Sequence, residues 1–134
     1  MAELLEAVRT MKSWDETTVQ EDGSGRKMTT AVVTYDYAAP LAGSSTVEYA
    51  MFYLTPSKAA FVGYEHIDAS YGGQSGTVVL RHEGLFDNGS AEIAVQVVAD
   101  SPTGTFAGAS GNGTIAADAT DPMKSTLTLE WRRA

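Results

Sequence analysis

The chain has no cysteine, which removes thiolate catalysis, disulfide frameworks and Cys-type zinc sites together. It has little positive charge: nine Lys and Arg stand against 17 Asp and Glu, giving a formal net charge of −8. That field repels a phosphate backbone, and basic residues cluster only at Arg26–Lys27 and Arg132–Arg133, so nucleic-acid binding is not expected. No apolar run approaches the roughly 20 residues of a membrane-spanning helix. The opening MAELLEAVRTMK has no basic lead, long apolar core or A-x-A site, so it is not read as a signal peptide. These features fit a cytoplasmic protein that engages neither membrane nor nucleic acid. Helical periodicity is nearly absent as well. Only Ala2–Met11 offers it, through Leu4, Leu5 and Val8 with Glu3 and Glu6 early and Arg9 late. A short N-terminal helix or an extended lead-in to the first strand are equal readings of that stretch.

What is present is strand. At 134 residues the chain is expected to form a single domain over 1–134 that buries roughly two-thirds of its unfolded surface. The stretch Ser45–Glu83 holds three runs rich in Val, Tyr, Phe and Ile, separated by turn signals at Thr55–Lys58 (TPSK) and Tyr71–Gln74 (YGGQ). Further strands are predicted at Ser13–Gln20, Met28–Ala38, Ala91–Val98 and Ser125–Arg132, with a hairpin signal at Asn88–Gly89. Ser101–Ala117 reads as two short strands flanking GASGNG. Its glycines suggest a phosphate cradle, but no Lys follows and no helix begins there, so tight turns and close packing are the better account. About eight strands with short connections call for up-and-down antiparallel order. Closing them into an eight-stranded antiparallel β-barrel removes the edges, and such a barrel is filled or holds one small ligand. A β-sandwich is the competing all-β architecture.

Several patterns occur in order: SWDE near the start, STVEY at 45–49, FVGYE at 61–65, GQSGTVVLRHEGLF at 73–86 and GTFAGASGNG at 104–113. Together, over nearly the whole chain from about Lys12, they resemble the bacterial family called domain of unknown function 3224. That family looks like the allene oxide cyclase barrel, a closed eight-stranded antiparallel barrel with an apolar central cavity. The resemblance therefore implies barrel over sandwich, and it supplies no activity. Allene oxide cyclases shape a reactive fatty-acid intermediate, and other barrels of this shape fold polyketide chains for cyclisation. No catalytic residue of either group is carried over to this chain.

The polar residues inside apolar strands are the candidates for chemistry. Residues of one parity share a face. Glu48 shares its face with Thr46, Ala50, Phe52 and Leu54, and Glu65 with Phe61, Gly63 and Ile67. Either face of each strand could be the interior. A carboxylate turned inward is desolvated, which raises its pKa and suits it to acid–base work; turned outward, it is merely solvated. His82 shares parity with Val78 and Leu80, the face expected inside, whereas Arg81 and Glu83 lie on the other. Glu48, Glu65 and His82 are thus the candidate catalytic residues, and Trp14, Tyr35, Phe52, Tyr53 and Trp131 the candidate ligand-binding aromatics. Nothing has metal-ligand spacing, no Gly-x-Ser-x-Gly elbow occurs, and no cofactor is implied. The expectation is a barrel around one small, largely apolar molecule, acting as a cofactor-independent cyclase or isomerase. A non-catalytic binding protein is the alternative, and homo-oligomerisation is left open.

Overall fold

Inward and outward residues alternate along almost every run, and that period of two makes strands. The computed structural model describes residues 2–88, 90–118 and 120–133. Its strands are β1 (Glu3–Glu21), β2 (Lys27–Tyr37), β3 (Leu41–Thr55), β4 (Lys58–Tyr71), β5 (Gln74–Asp87), β6 (Ser90–Val97), β7 (Ser110–Ala117) and β8 (Lys124–Arg132). Each pairs antiparallel with its sequence neighbour, and β1 pairs with β8, so the eight strands close into a ring. Closure pairs β1 with β8 over Glu3–Thr10, so the two terminal strands do not stand as free edges along that stretch. The two central turns fall where expected. Gly72 and Gly73 both have positive φ, 63° and 82°, as a two-residue hairpin with the twist of its strands requires. Asn88 also has positive φ; its partner Gly89 lies outside the described residues.

One open alternative is settled and one expectation is corrected. Ala2–Met11 is not a helix but the first half of β1, paired with β8 from Glu3↔Trp131 to Thr10↔Lys124. Leu5, Ala7 and Arg9 alternate into the interior, a strand pattern that outweighs the weak helical spacing. The segment Ser101–Ala117 holds one strand, not two. Its first part forms a single 3-10 turn, Gly104–Phe106, and the GASGNG motif starts in the turn that follows, with Gly108 at φ 78°, then enters β7 at Ser110. Glycine-rich composition hid that distinction.

Hairpin order divides the ring into two ends. One carries the β2–β3, β4–β5 and β6–β7 connections, the other the β1–β2, β3–β4, β5–β6 and β7–β8 connections. The first end is filled by Leu5, Leu41, Ile67, Leu80, Leu127, Leu129 and Trp131, and closed by Phe106 from the 3-10 turn. That plug is tied down by Thr103 N–H to the Thr77 carbonyl at 2.8 Å and by Thr105 Oγ1 to the Tyr71 carbonyl at 3.2 Å. The other end holds a second buried cluster that includes Ala31, Val33, Val47, Met51, Ala59 and Phe61. Among the described residues no helix is long and apolar enough to cross a membrane.

Candidate functional site

Between the two ends lies a buried polar layer. Arg9, Ser45, Glu65 and His82 point inward from β1, β3, β4 and β5, each 5% exposed or less. Glu65 accepts from every side. Arg9 Nη2 stands 3.0 Å from Oε1 and His82 Nε2 2.8 Å from the same oxygen, while Tyr37 donates to Oε2 at 2.8 Å and Ser45 donates there too. Burial alone would raise the Glu65 carboxyl. The Arg9 charge, with hydrogen bonds from His82 and Ser45, overcomes it and brings the group down to about 2. Burial works against the Arg9 charge, but Glu65 and the surrounding tyrosines hold the guanidinium above its ordinary value. The layer is an ion pair wrapped in hydroxyls.

A second chain of hydrogen bonds leads from this layer to the cavity. Tyr49, Gly63 and His82 occupy one cross-strand row on β3, β4 and β5. Gly63 has no side chain to separate its neighbours, so the Tyr49 hydroxyl reaches His82 Nδ1 at 2.9 Å across it. A Cβ at Gly63 would meet the Glu48 carbonyl and come within 2.8 Å of the Tyr49 ring. An ionised carboxylate only accepts, so His82 Nε2 donates to Glu65; with the ring neutral, Nδ1 accepts from Tyr49. Burial pushes the Tyr49 phenol up, so it stays protonated. The result is a hydroxyl–imidazole–carboxylate sequence, the order that serves proton transfer in nucleophilic triads.

Above this floor, toward the second end of the ring, is a cavity of about 270 Å³. Its walls are apolar: Met11, Met51, Phe61, Phe86, Ile93 and Ile115 among them, with Pro122 and Met123 from the β7–β8 connection. Arg9, Tyr35, Tyr49 and Ser125 also border it. The Arg9 guanidinium stacks on the Tyr35 ring, 3.8 Å from its centroid, and donates from Nε to Tyr37 and from Nη1 to Ser125. At the rim, β1 has a bulge between Met11 and Ser13. The extra residue reverses the inward parity, carrying Trp14 and Glu16 to the side of the ring that Arg9 and Met11 face. Glu16 there accepts from Trp14, Thr29 and Tyr53 at 3.1, 2.6 and 2.8 Å. Among the described residues no group of three or more His, Asp or Glu side chains is arranged to hold a metal ion.

A family model described as "Protein of unknown function (DUF3224)" matches residues 6–129. The chain belongs to the DUF3224 family. A crystal structure of a DUF3224 protein of unknown function from Shewanella oneidensis MR-1 is similar to it, with a TM-score of 0.74 at 16% identity. The match covers 98% of this chain and 99% of that one, and at such identity it shows a shared fold. No curated protein matches the sequence.

In this DUF3224 chain the predicted site residues separate. Glu65 and His82 are inside and hydrogen-bonded to each other, as the inward parity of their strands allows. Neither borders the cavity, and Glu65 is held ionised instead of being shifted upward by burial. Glu48 is exposed on the outer wall, because β3 turns Val47, Tyr49 and Met51 inward. Phe52 shares that outward parity and pairs there with Met28 and Ala60. Trp14, Tyr35 and Tyr53 border the cavity, whereas Trp131 is packed at the opposite end against Phe106 and Tyr71. Sequence reasoning missed Arg9, Tyr37, Ser45 and Tyr49. Arg9 had a signal: in Leu5-Ala7-Arg9-Met11 it is a lone charge on an apolar alternating face.

Proposed function

We propose that this chain is a β-barrel of the allene oxide cyclase type that encloses a small, largely apolar molecule in the cytoplasm and works as a cofactor-independent cyclase or isomerase. The observation that carries the reading is the cavity itself: apolar on its walls and polar at one end, where Arg9, Tyr49 and Ser125 gather. An engineered apolar cavity of roughly 150 Å³ takes benzene, so this one has room for a bicyclic or short-chain molecule. Holding a flexible substrate in one reactive conformation supplies much of the rate in such a site. The proton work passes through Tyr49. A substrate proton moves to the Tyr49 oxygen as Tyr49 gives its own to His82 Nδ1, and the imidazolium formed rests against Glu65. Return of the proton at another substrate atom completes an isomerisation with no net gain or loss.

Native mass spectrometry of the purified protein, followed by a thermal-shift screen of lactones, terpenoids and aromatic ketones, tests the reading. Any molecule that binds only the folded state raises the melting temperature by mass action. A bound or stabilising ligand that is converted by the wild type and not by Tyr49→Phe supports the enzyme. No ligand and no shift across the screen overturns it. One observation favours a non-catalytic binding protein as the second reading: His82 and Glu65 do not border the cavity, so Tyr49 alone would link them to a ligand. A stabilising ligand that emerges unchanged selects that reading.

A further inference from the structure

The strands of the ring are staggered, so that β5 and β1 each overhang a neighbour. β5 pairs with β6 only from Leu80 onward. Its overhanging edge is closed by the chain that follows β6. The Thr77 and Val79 carbonyls accept from the Thr103 and Val98 N–H groups at 2.8 and 2.9 Å. The Thr77 and Val79 N–H groups donate to Thr103 Oγ1 and Ser101 Oγ, both at 3.1 Å. β1 overhangs β8 in the same way. Its pairing with β8 ends at Thr10, and one further bond, Met11 N–H to the Met123 carbonyl at 2.8 Å, ends the seam. From Ser13 to Glu21, among the described residues, β1 is laddered to β2 alone. Every residue of that stretch is exposed except Glu16, which is half-buried. Between its two bulges the register is regular, from Ser13↔Thr34 to Thr18↔Thr29, so alternate residues turn N–H and C=O away from β2.

An edge of this kind is a template for one more strand, and its side chains decide which strand fits. Thr17, Thr18 and Val19 are β-branched and suited to pairing. The charged residues from Ser13 to Glu21 are Asp15, Glu16 and Glu21, all acidic. A second copy pairing through the same edge would set two such strands together, each from a chain of net charge −8, and like-charge repulsion opposes that. The same carboxylates favour a strand that carries Lys or Arg. We propose that the Ser13–Glu21 edge of β1 is a docking site for an extended, basic peptide segment of another protein, which adds to the sheet as a strand beside β1. Backbone hydrogen bonds supply the affinity, and the exposed Asp15 and Glu21 carboxylates supply the selectivity. The site is a backbone edge and does not depend on what the cavity holds.

Three blocked peptides test it at neutral pH in titrations of the intact, 15N-labelled protein. The first is Lys-Thr-Val-Thr-Lys-Thr-Val-Thr-Lys, the second has Glu for each Lys, and the third is the Lys peptide N-methylated throughout, which keeps its charge and removes its backbone donors. The Lys peptide is expected to shift the amide resonances of Ser13–Glu21 saturably and to slow hydrogen exchange at the outward N–H groups. It should bind roughly tenfold more tightly than the Glu peptide, the scale of a few cross-strand charge pairs. The N-methylated peptide should leave those amides unprotected. Asp15→Asn combined with Glu21→Gln, both at exposed positions, is expected to lose the preference for Lys over Glu. Absence of shifts along the edge, equal binding of the Glu peptide, or equal binding of the N-methylated one overturns the proposal. Slow exchange along Ser13–Glu21 in the protein alone, together with a dimer mass in sedimentation equilibrium, also overturns it and makes a second copy the occupant.

Discussion

The two ends of the ring are built from the same strands and differ in what they do with the interior. At the plugged end Leu41, Ile67, Leu80, Leu127 and Leu129 interdigitate, Phe106 closes the base, and about 10 Å³ remains. At the other end Met51, Phe61 and Ile93 border a space of about 270 Å³. Close packing is the ordinary condition of a protein interior, so a void of this size is a departure that costs stability. The difference teaches a division of labour. One end holds the ring together, the polar layer separates the two, and the other end is free to be a container.

The comparison sharpens or breaks under substitution. The largest effect is expected at the dividing layer: Glu65→Gln strands Arg9 without its counter-charge and should cost about 3–5 kcal/mol in urea unfolding. The same residue sets an acid limit. Folded Glu65 titrates at about 2 against an ordinary 4.5, so its contribution is fully present above about 4.5 and is lost as pH falls toward 2. Unfolding curves across that window should fall for the wild type and flatten for Glu65→Gln. Next come the two ends themselves. Leu127→Ala at the plugged end should cost about 3–4 kcal/mol, whereas Met51→Ala, on a wall already facing empty space, should cost about 2 kcal/mol. Equal costs would mean that the two ends are packed alike. Tyr49→Phe removes the donor to His82 Nδ1 and should lower stability by about 1–2 kcal/mol, visible as a small drop in denaturant midpoint. Glu48→Gln, on the outer wall, should stay within about 0.5 kcal/mol and leave ligand binding unchanged.

Much of the ring was legible because the strands alternate cleanly. Ala31, Val33, Tyr35 and Tyr37 share one face of β2 in sequence and all turn inward, and the parity that separates Glu65 from His66 and His82 from Arg81 is borne out. Legibility failed where a local signal competed with pairing. The first residues of β1 carried a helical charge order, and only the partner strand β8, far away in sequence, makes them extended. The bulge after Met11 reverses parity without any glycine or proline to announce it, so the side Trp14 takes could not be counted from Arg9. For β3, both faces carry apolar residues, and choosing between Phe52 and Tyr49 as the inward residue needed the ring. Arg9 and Tyr49 were missed for a related reason: their partners Glu65 and His82 sit on other strands, and only register brings them together.

The methionine methyl groups offer the most direct test of the container. Met11, Met51 and Met123 border the cavity, while Met28 lies on the outer wall, half exposed. With methyl-13C methionine and titration of 2-acetylnaphthalene, the account predicts saturable shifts of the Met11, Met51 and Met123 resonances and a stationary Met28. Shifts confined to Met28, or no shift at any of the four at saturating probe, would contradict the claim that this end of the ring encloses a small molecule.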